Sequence, residues 1–284
     1  MTSIKKNIKY TLLNLGCGQR YHKEWTNLDF SSDNKYVVSA NLLNGIPFPD
    51  NSFDVVYHSH LLEHLPKGKA FTFIKECNRV LKPGGIIRIV VPDFENMVKE
   101  YIKVLNDLDS YSSIHTLEDA NYNWIMLEIL DQMVRTRTGG GMAEYLFQEQ
   151  ISNEDYIYSR VGNEMKELRE RITGKNSSEL KGIGWKSLFS PRQTILKVLE
   201  KIKKSIPITN YQVGRFRLSG EVHQWMYDKY SLKKLLKDAG FEKIGIVDSI
   251  KSNINSWGSY ELDMKNGIIY KPNSLFIEAF KTEK

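Results

Sequence analysis

The first residues whose spacing can do chemistry lie near the start of this 284-residue chain. Leu12-Leu13-Asn14-Leu15-Gly16-Cys17-Gly18 runs a short apolar strand into a Gly-x-Gly turn, and Asp29 follows eleven residues after Gly18. Glycine has no Cβ, so the backbone can turn sharply and a ligand can come close. An acid at the end of the next strand can accept hydrogen bonds from a ribose diol. Together they describe a cradle for an adenosine-containing cofactor. A dinucleotide fingerprint needs a third glycine where Tyr21 stands, and no Lys-Ser/Thr pair follows as in a phosphate loop. The turn therefore suits an adenosine ligand without a pyrophosphate. Asn41 and Leu42, at the end of a third strand, place a polar side chain beside a backbone amide where adenine could be read; an ordinary strand-end turn is the competing reading. Cys17 fits the turn as a small residue rather than as a nucleophile, because a lone thiol reacts only in an activating environment.

These residues need strands with their carboxyl ends at one edge. Over the first hundred residues strand and helix signals alternate, which predicts a parallel sheet covered by helices. The expected strands are 11–15, 25–29, 36–39, 53–58 and 85–91, the last nearly all β-branched, as a strand buried on both faces should be. A helix over 67–80 is expected to turn Phe71, Ile74, Asn78 and Leu81 to one side, and Lys82-Pro83-Gly84-Gly85 to end it. From about 95 to 220 helical patterns dominate: 95–108 with Met97, Tyr101, Val104 and Leu105 on one stripe, 121–134, and a charged stretch at 143–172. A basic amphipathic helix is expected from Pro191 to Ile206. The α/β pattern then returns, with a helix at 231–239 capped by Ser231 and Gly240 and strands at 243–249 and 274–281.

The motifs occur in an order that resembles a known family. Leu-Asn-Leu-Gly-Cys-Gly, Asn-Leu-Asp, Pro47-Phe-Pro-Asp-Asn-Ser-Phe-Asp54, Leu62-Glu63-His64-Leu65-Pro66 and Asn78-Arg-Val-Leu-Lys-Pro-Gly-Gly85 are similar to the class I S-adenosylmethionine-dependent methyltransferases, and most to the type 11 methyltransferase domain. The C-terminal pieces His223-Gln-Trp-Met-Tyr, Tyr260-Glu-Leu-Asp and Lys271-Pro-Asn-Ser-Leu resemble a subgroup associated with cell-surface polysaccharide biosynthesis. The resemblance implies a Rossmann-like, seven-stranded, mostly parallel sheet whose last strand is antiparallel. The core is expected at 1–97 and 221–284, and 98–220, which resembles nothing in the family, is expected to be a helical insertion that serves as a substrate lid. The resemblance implies S-adenosylmethionine as cofactor, held by Gly16, Cys17, Gly18, Asp29, Asn41, Leu42, His58 and Ser59, although the family more often has Asp where Asn41 stands.

Methyl transfer from a sulfonium is an in-line displacement, in which the protein aligns the acceptor and excludes water. A hydroxyl acceptor also needs a base of suitable pKa. His60 after the fourth strand, Asp93 after the fifth and His223 where the chain returns from the insertion are the candidates. Arg135 and Arg137 could hold an anionic group of the substrate, since Arg forks match phosphate and carboxylate. The resemblance to the polysaccharide-linked subgroup implies a hydroxyl of a sugar or polysaccharide precursor as the acceptor. A different small metabolite or lipid, or a non-catalytic adenosine-cofactor-binding protein, are the alternatives.

Composition narrows the setting. Apolar residues make up 41% and charged residues 26%, as in ordinary globular chains, and no apolar run is long enough to span a bilayer. The two cysteines form neither a disulfide framework nor a metal-ligand spacing, and no metal site is expected. Nine basic residues between Lys181 and Arg217 face only Glu200, so this stretch carries more than the whole net charge of +6. Aromatics are not interleaved with the lysines of 191–206, so no nucleic-acid partner is expected. A cytoplasmic location, with peripheral contact to the inner face of the membrane through 191–206, is the expectation.

Overall fold

A computed structural model describes residues 11–109, 116–162, 165–166, 169–170 and 209–283. The expected basic helix at 191–206 lies outside the described residues.

Short apolar runs with no alternation form the middle of the sheet. β1 (Leu12–Leu15) is buried at every residue and lies parallel to both β2 (Thr26–Asp29) and β4 (Phe53–Ser59). β3 (Val37–Ser39) adds outside β2, and β5 (Leu81–Pro92) pairs parallel to β4. The chain then returns at the far edge through β6 (Phe241–Val247) and β9 (Ser274–Lys281), with a small hairpin between them made of β7 (Met264–Lys265) and β8 (Ile268–Ile269). The seven-stranded order is β3-β2-β1-β4-β5-β9-β6, and β9 runs antiparallel to both neighbours. The expected sheet is therefore the observed one. Its order reverses beside β1, between β1 and β4, where a doubly wound sheet binds its ligands outside the carboxyl ends of the strands.

α1 (Lys67–Val80) covers one face. Its buried stripe is Ala70, Phe73, Ile74, Cys77 and Val80, not the expected Phe71–Asn78 stripe; Phe71 is solvent-exposed. The correction is one of phase, because both sets have helical spacing and only the sheet's position selects between them. Arg79 at its end ties motifs together: it donates to Glu76 at 2.8 Å, to Asp50 at 2.9 Å and to the carbonyls of Ile46 and Phe48. The Pro-Phe-Pro-Asp loop and the Asn-Arg-Val-Leu turn are thus one hydrogen-bonded unit.

After β5 come α2 (Phe94–Asp109), α3 (Thr116–Val134), α4 (Gly140–Leu146) and α5 (Glu154–Val161). The charged stretch read as one helix over 143–172 is broken after Leu146 and resumes at Glu154. Trp124, Leu146 and Ile157 form a separate small core here. α6 (Asn210–Arg217) and α7 (Lys229–Asp238) follow. The cap of α7 is Asp228, with Ser231 three residues in: each side chain bonds the other's backbone, so Ser231 closes a capping box instead of starting the helix. Gly240, at φ +90°, ends the helix as expected.

The apolar β5 hides a charge. Arg88 is fully buried and bonds Asp263 at 2.7 Å, Glu278 at 2.7 Å and the Asp248 carbonyl at 2.6 Å. Tyr57 donates to the other Asp263 oxygen at 2.7 Å, and Trp257 lies under the guanidinium. Removing one partner of such a group leaves a buried charge uncompensated, so Asp263→Ala is expected to cost about 3–5 kcal/mol, read as a lower urea midpoint at unchanged m-value.

His58 is a second buried polar group, and neither ring nitrogen has a hydrogen-bond partner among the described residues. It packs edge-on against Phe73, and burial pushes its pKa down to about 4, against a smaller opposing pull from Glu63. The unfolded chain therefore binds a proton below about pH 6.5 that the folded chain refuses. Stability from this residue is complete above that pH and falls as pH drops toward 4. Between pH 7.5 and pH 5 it is expected to cost about 2 kcal/mol. Paired urea titrations should find that His58→Phe shrinks the acid loss by that amount.

Candidate functional site

The glycine turn is built as expected. Gly16 and Gly18 sit at φ +63° and +53°, and a Cβ on Gly16 would fall 2.8 Å from the Leu61 side chain. Asp29 reaches back across the turn: one carboxylate oxygen accepts from the Gly18 amide at 2.6 Å and the other from Phe30 at 2.7 Å. Burial, helped by the Asp29 charge, pushes the Cys17 thiol up to about 12, so it stays protonated as a filler of the turn.

Two hollows flank this turn. One, of about 410 Å³, is lined by Gly18, Asp29 and the 31–34 loop. The other, of about 570 Å³, runs along Gly16 to Arg20, Tyr57, Ser59, His60 and Tyr270. Gly18 and Gln19 line both, and the two are taken together as one groove, with Asp29 lining one part and His60 the other. An open glycine turn, a strand-end acid and a strand-end polar edge fit an adenosine cofactor. Within it, Asp29 would hold the ribose end and Gly16–Gly18 the chain that follows.

Other expected cofactor residues sit differently. Asn41 caps a 3₁₀ turn by accepting from Leu43 at 3.0 Å, and Leu42 belongs to the core. Ser59 lines the groove, but His58 turns its side chain to the opposite sheet face, against α1. Alternation along a strand forces this: Tyr57 and Ser59 share one face, so His58 must take the other. Arg20, Gln19, Tyr270 and Lys271 also line the groove and were not foreseen. The Arg20 guanidinium lies 4.0 Å from the centre of the Tyr270 ring, a cation–π contact that closes the groove with a residue from near the chain's end.

A third cavity, of about 420 Å³, opens on the other side of His60. Met97, Trp124, Met142, Leu146, Phe147 and Met165 make it largely apolar. Arg160 and Glu128 form a buried bidentate pair in its wall, at 2.6 and 2.9 Å. His60 and Lys271 line both this cavity and the cofactor groove.

The candidate bases separate clearly. His60 leaves β4 in the left-handed region, at φ +51°, a conformation that costs energy outside glycine. Its Nδ1 lies 3.1 Å from Glu63 Oε1, and its Nε2 lies 3.0 Å from the Ser274 hydroxyl. Glu63 is wholly buried; burial opposes its ionisation, but the neighbouring His60, His64 and His223 hold its pKa down to about 2. A charged carboxylate at Nδ1 fixes the tautomer, with the proton on Nδ1 and the lone pair on Nε2. His223 is 4% exposed, and burial drives its pKa to about 3, so it stays neutral. It stacks edge-on with His64 at 4.7 Å, behind His60, and lines none of the three cavities. Asp93 accepts from the Asn96 amide at 3.1 Å as the cap of α2, and it too is absent from the cavity walls. Arg135 lines the apolar cavity, where its Nε is buried without a partner among the described residues. Arg137 is spent on an ion pair with Glu144 at the surface. Glu63 and Ser274 were given no role on sequence grounds, although both sit inside quoted motifs.

Comparison with known proteins bears on the donor half. Residues 13–89 match the family described as a methyltransferase domain. A demethylmenaquinone methyltransferase of Staphylococcus haemolyticus is 30% identical over 128 residues, 39% of this chain and 52% of that one. A sterol 4-C-methyltransferase of Caenorhabditis elegans is 31% identical over 126 residues, 41% of this chain and 37% of the other. This chain thus spans about half or less of the curated relatives it matches. Among solved structures, a possible histamine N-methyltransferase of Thermotoga maritima aligns over 96% of this chain and 83% of its own, at 12% identity and a TM-score of 0.38. Residues 13–89, most of the stretch from β1 into β5, thus match a methyltransferase domain, and S-adenosylmethionine is the cofactor that this match implies.

Proposed function

We propose that the protein transfers a methyl group from S-adenosylmethionine to a hydroxyl oxygen of an acceptor with an apolar body. The observation that carries this is His60, which with Lys271 lines both the cofactor groove and the apolar cavity and is backed by a buried carboxylate. S-adenosylmethionine, when bound, supplies an electrophilic methyl carbon on a good leaving group. His60 Nε2 takes the hydroxyl proton of the acceptor, in place of the hydrogen bond it now makes with Ser274. Glu63 holds the ring through Nδ1 and stabilises the imidazolium that forms, the role of a base's orienting partner. The apolar walls exclude water, and Arg160–Glu128 keeps them rigid. A non-catalytic binder would have no use for a strained histidine aimed between two cavities.

Residues 1–97 and 221–284 are read as the donor side and 98–220 as the acceptor side, since α3 and α4 supply Trp124, Gln132, Met142 and Leu146 to the apolar cavity. The C-terminal likeness to a polysaccharide-linked subgroup supports a sugar hydroxyl. The apolar lining favours a sugar or polysaccharide precursor carried on a lipid over a free sugar, and it also suits a quinone or other lipid, as the name of the staphylococcal relative suggests. Arg135, with an unpaired Nε at the wall, suits an anionic link in such an acceptor.

Two measurements test the reading. Labelled-methyl transfer to a cell-envelope lipid extract should fall about 10²–10⁴-fold in His60→Ala, while calorimetric binding of S-adenosylmethionine is retained. Equal transfer by the variant would remove His60 as base. Asp29→Ala should weaken cofactor binding by about tenfold or more, equivalent to one charge-assisted hydrogen bond. Unchanged affinity would displace the ribose from Asp29.

A further inference from the structure

We propose that Glu63, His64 and His223 bind a divalent transition-metal ion, zinc above others, behind His60. One donor atom from each lies within 4.8 Å of the other two. The three come from two distant stretches of chain, the 3₁₀ turn after β4 and the segment that returns from the helices. Sequence spacing alone gave no reason to expect a metal here.

The atoms are unusual in having nothing else to do. Apart from the His60 contact, the Glu63 carboxylate has no hydrogen-bond partner among the described residues, and neither do His64 Nδ1 and His223 Nδ1. The Tyr227 hydroxyl is also buried and unpartnered. Glu63 is 0% exposed and His223 4%, so bulk water does not satisfy them. Buried polar atoms are nearly always paired, and several orphans converging on one point mark a missing partner. Two imidazoles and one carboxylate form a set known to hold zinc, with a further position open to water. The two nitrogens select against magnesium and calcium, which take oxygen ligands.

The backbone already holds the ligands in place. The Glu63 carbonyl accepts from the Gln224 amide at 2.7 Å and from Trp225 at 3.3 Å, and the His223 amide donates to Gln132 at 2.9 Å. Gln132 lines the apolar cavity. An ion here would offset the buried Glu63 charge and hold the orienting carboxylate of His60 still. It would also staple the 222–225 segment to the end of β4. Its role is to position, and the acceptor wall depends on it.

The test uses the full chain, stripped with chelator and verified as folded by circular dichroism. Cobalt(II) should produce visible d–d absorption that saturates near one equivalent and is bleached by Zn²⁺, and Zn²⁺ should raise the Tm. His223→Gln and His64→Gln should each lower Co²⁺ affinity by at least about tenfold. If a variant fails to fold, the titration of the stripped native chain decides alone. No absorption and no Tm shift with either ion, as a buried water in the site would produce, overturns the proposal. So does a response to Mg²⁺ only, or Co²⁺ binding that survives unchanged in both folded variants.

Discussion

Everything around the reactive edge is arranged about one buried carboxylate. An ionised Glu63 with no water and no partner would cost several kcal/mol. The chain brings three histidines to it from two directions: His60 contacts one oxygen, while His64 and His223, whose own pKa values burial lowers, face it without a hydrogen bond from their Nδ1 atoms. His60 has to swing back from β4 to reach it, which puts its backbone in the left-handed region. The 222–225 segment has to dock on the same turn, and the Glu63 carbonyl receives two of its amides. The strain at His60 and the path of the returning chain thus have one electrostatic cause. Both place the His60 ring where it lines two cavities.

That boundary is sharpened by strand geometry. β4 delivers Tyr57 and Ser59 to the cofactor side and His58 to the core side, and only after the strand ends can His60 turn to a new direction. The donor side is rigid because Tyr57 is held by Asp263, which is held by Arg88, which reaches Glu278 on β9. A cofactor groove formed by the first sixty residues is therefore braced by the last thirty. The same late segment supplies Tyr270, Lys271 and Ser274, so the chain's two ends jointly close the site.

The sheet and the donor half were legible because their signals are local: apolar runs, a glycine turn, an acid at a strand end, and a turn before β5. Phase and pairing were not. The α1 stripe was misplaced by one position because a helix has several faces of similar spacing until the sheet selects one. Ser231 was read as a cap because Asp228 and Ser231 are both good cap residues, and only geometry distinguishes the cap from its partner three residues on. The family resemblance that implies His58 at the cofactor carries its place at a strand end, which fixes depth but not face. Arg88 in an apolar strand carries no hint of partners 175 and 190 residues away. Glu63 sat in plain view, but its meaning depends on His223, brought beside it only by tertiary structure.

The two halves of the site answer to different constraints. The donor groove must accommodate one cofactor, so backbone conformation and one acid suffice, and these appear in the matched stretch of 13–89. The apolar cavity is walled mainly by α3, α4 and residues 271–274, outside that stretch. Apolar walls discriminate weakly, at about 1–3 kcal/mol for each methylene group. Selectivity must then rest on the few polar atoms that remain unpaired there. Glu128 and Arg160 satisfy each other and the Asn273 amide donates to Glu128, which leaves, among the described residues, the buried Asn273 Oδ1 and Arg135 Nε without partners, beside the His60–Ser274 pair. In the proposed reaction, the acceptor would bring an apolar body and a hydroxyl to His60. For the proposed reaction these walls favour an acceptor with an apolar body over a bare, densely hydroxylated sugar, because each hydroxyl buried against Met97, Trp124 or Met142 would lose its water without gaining a partner.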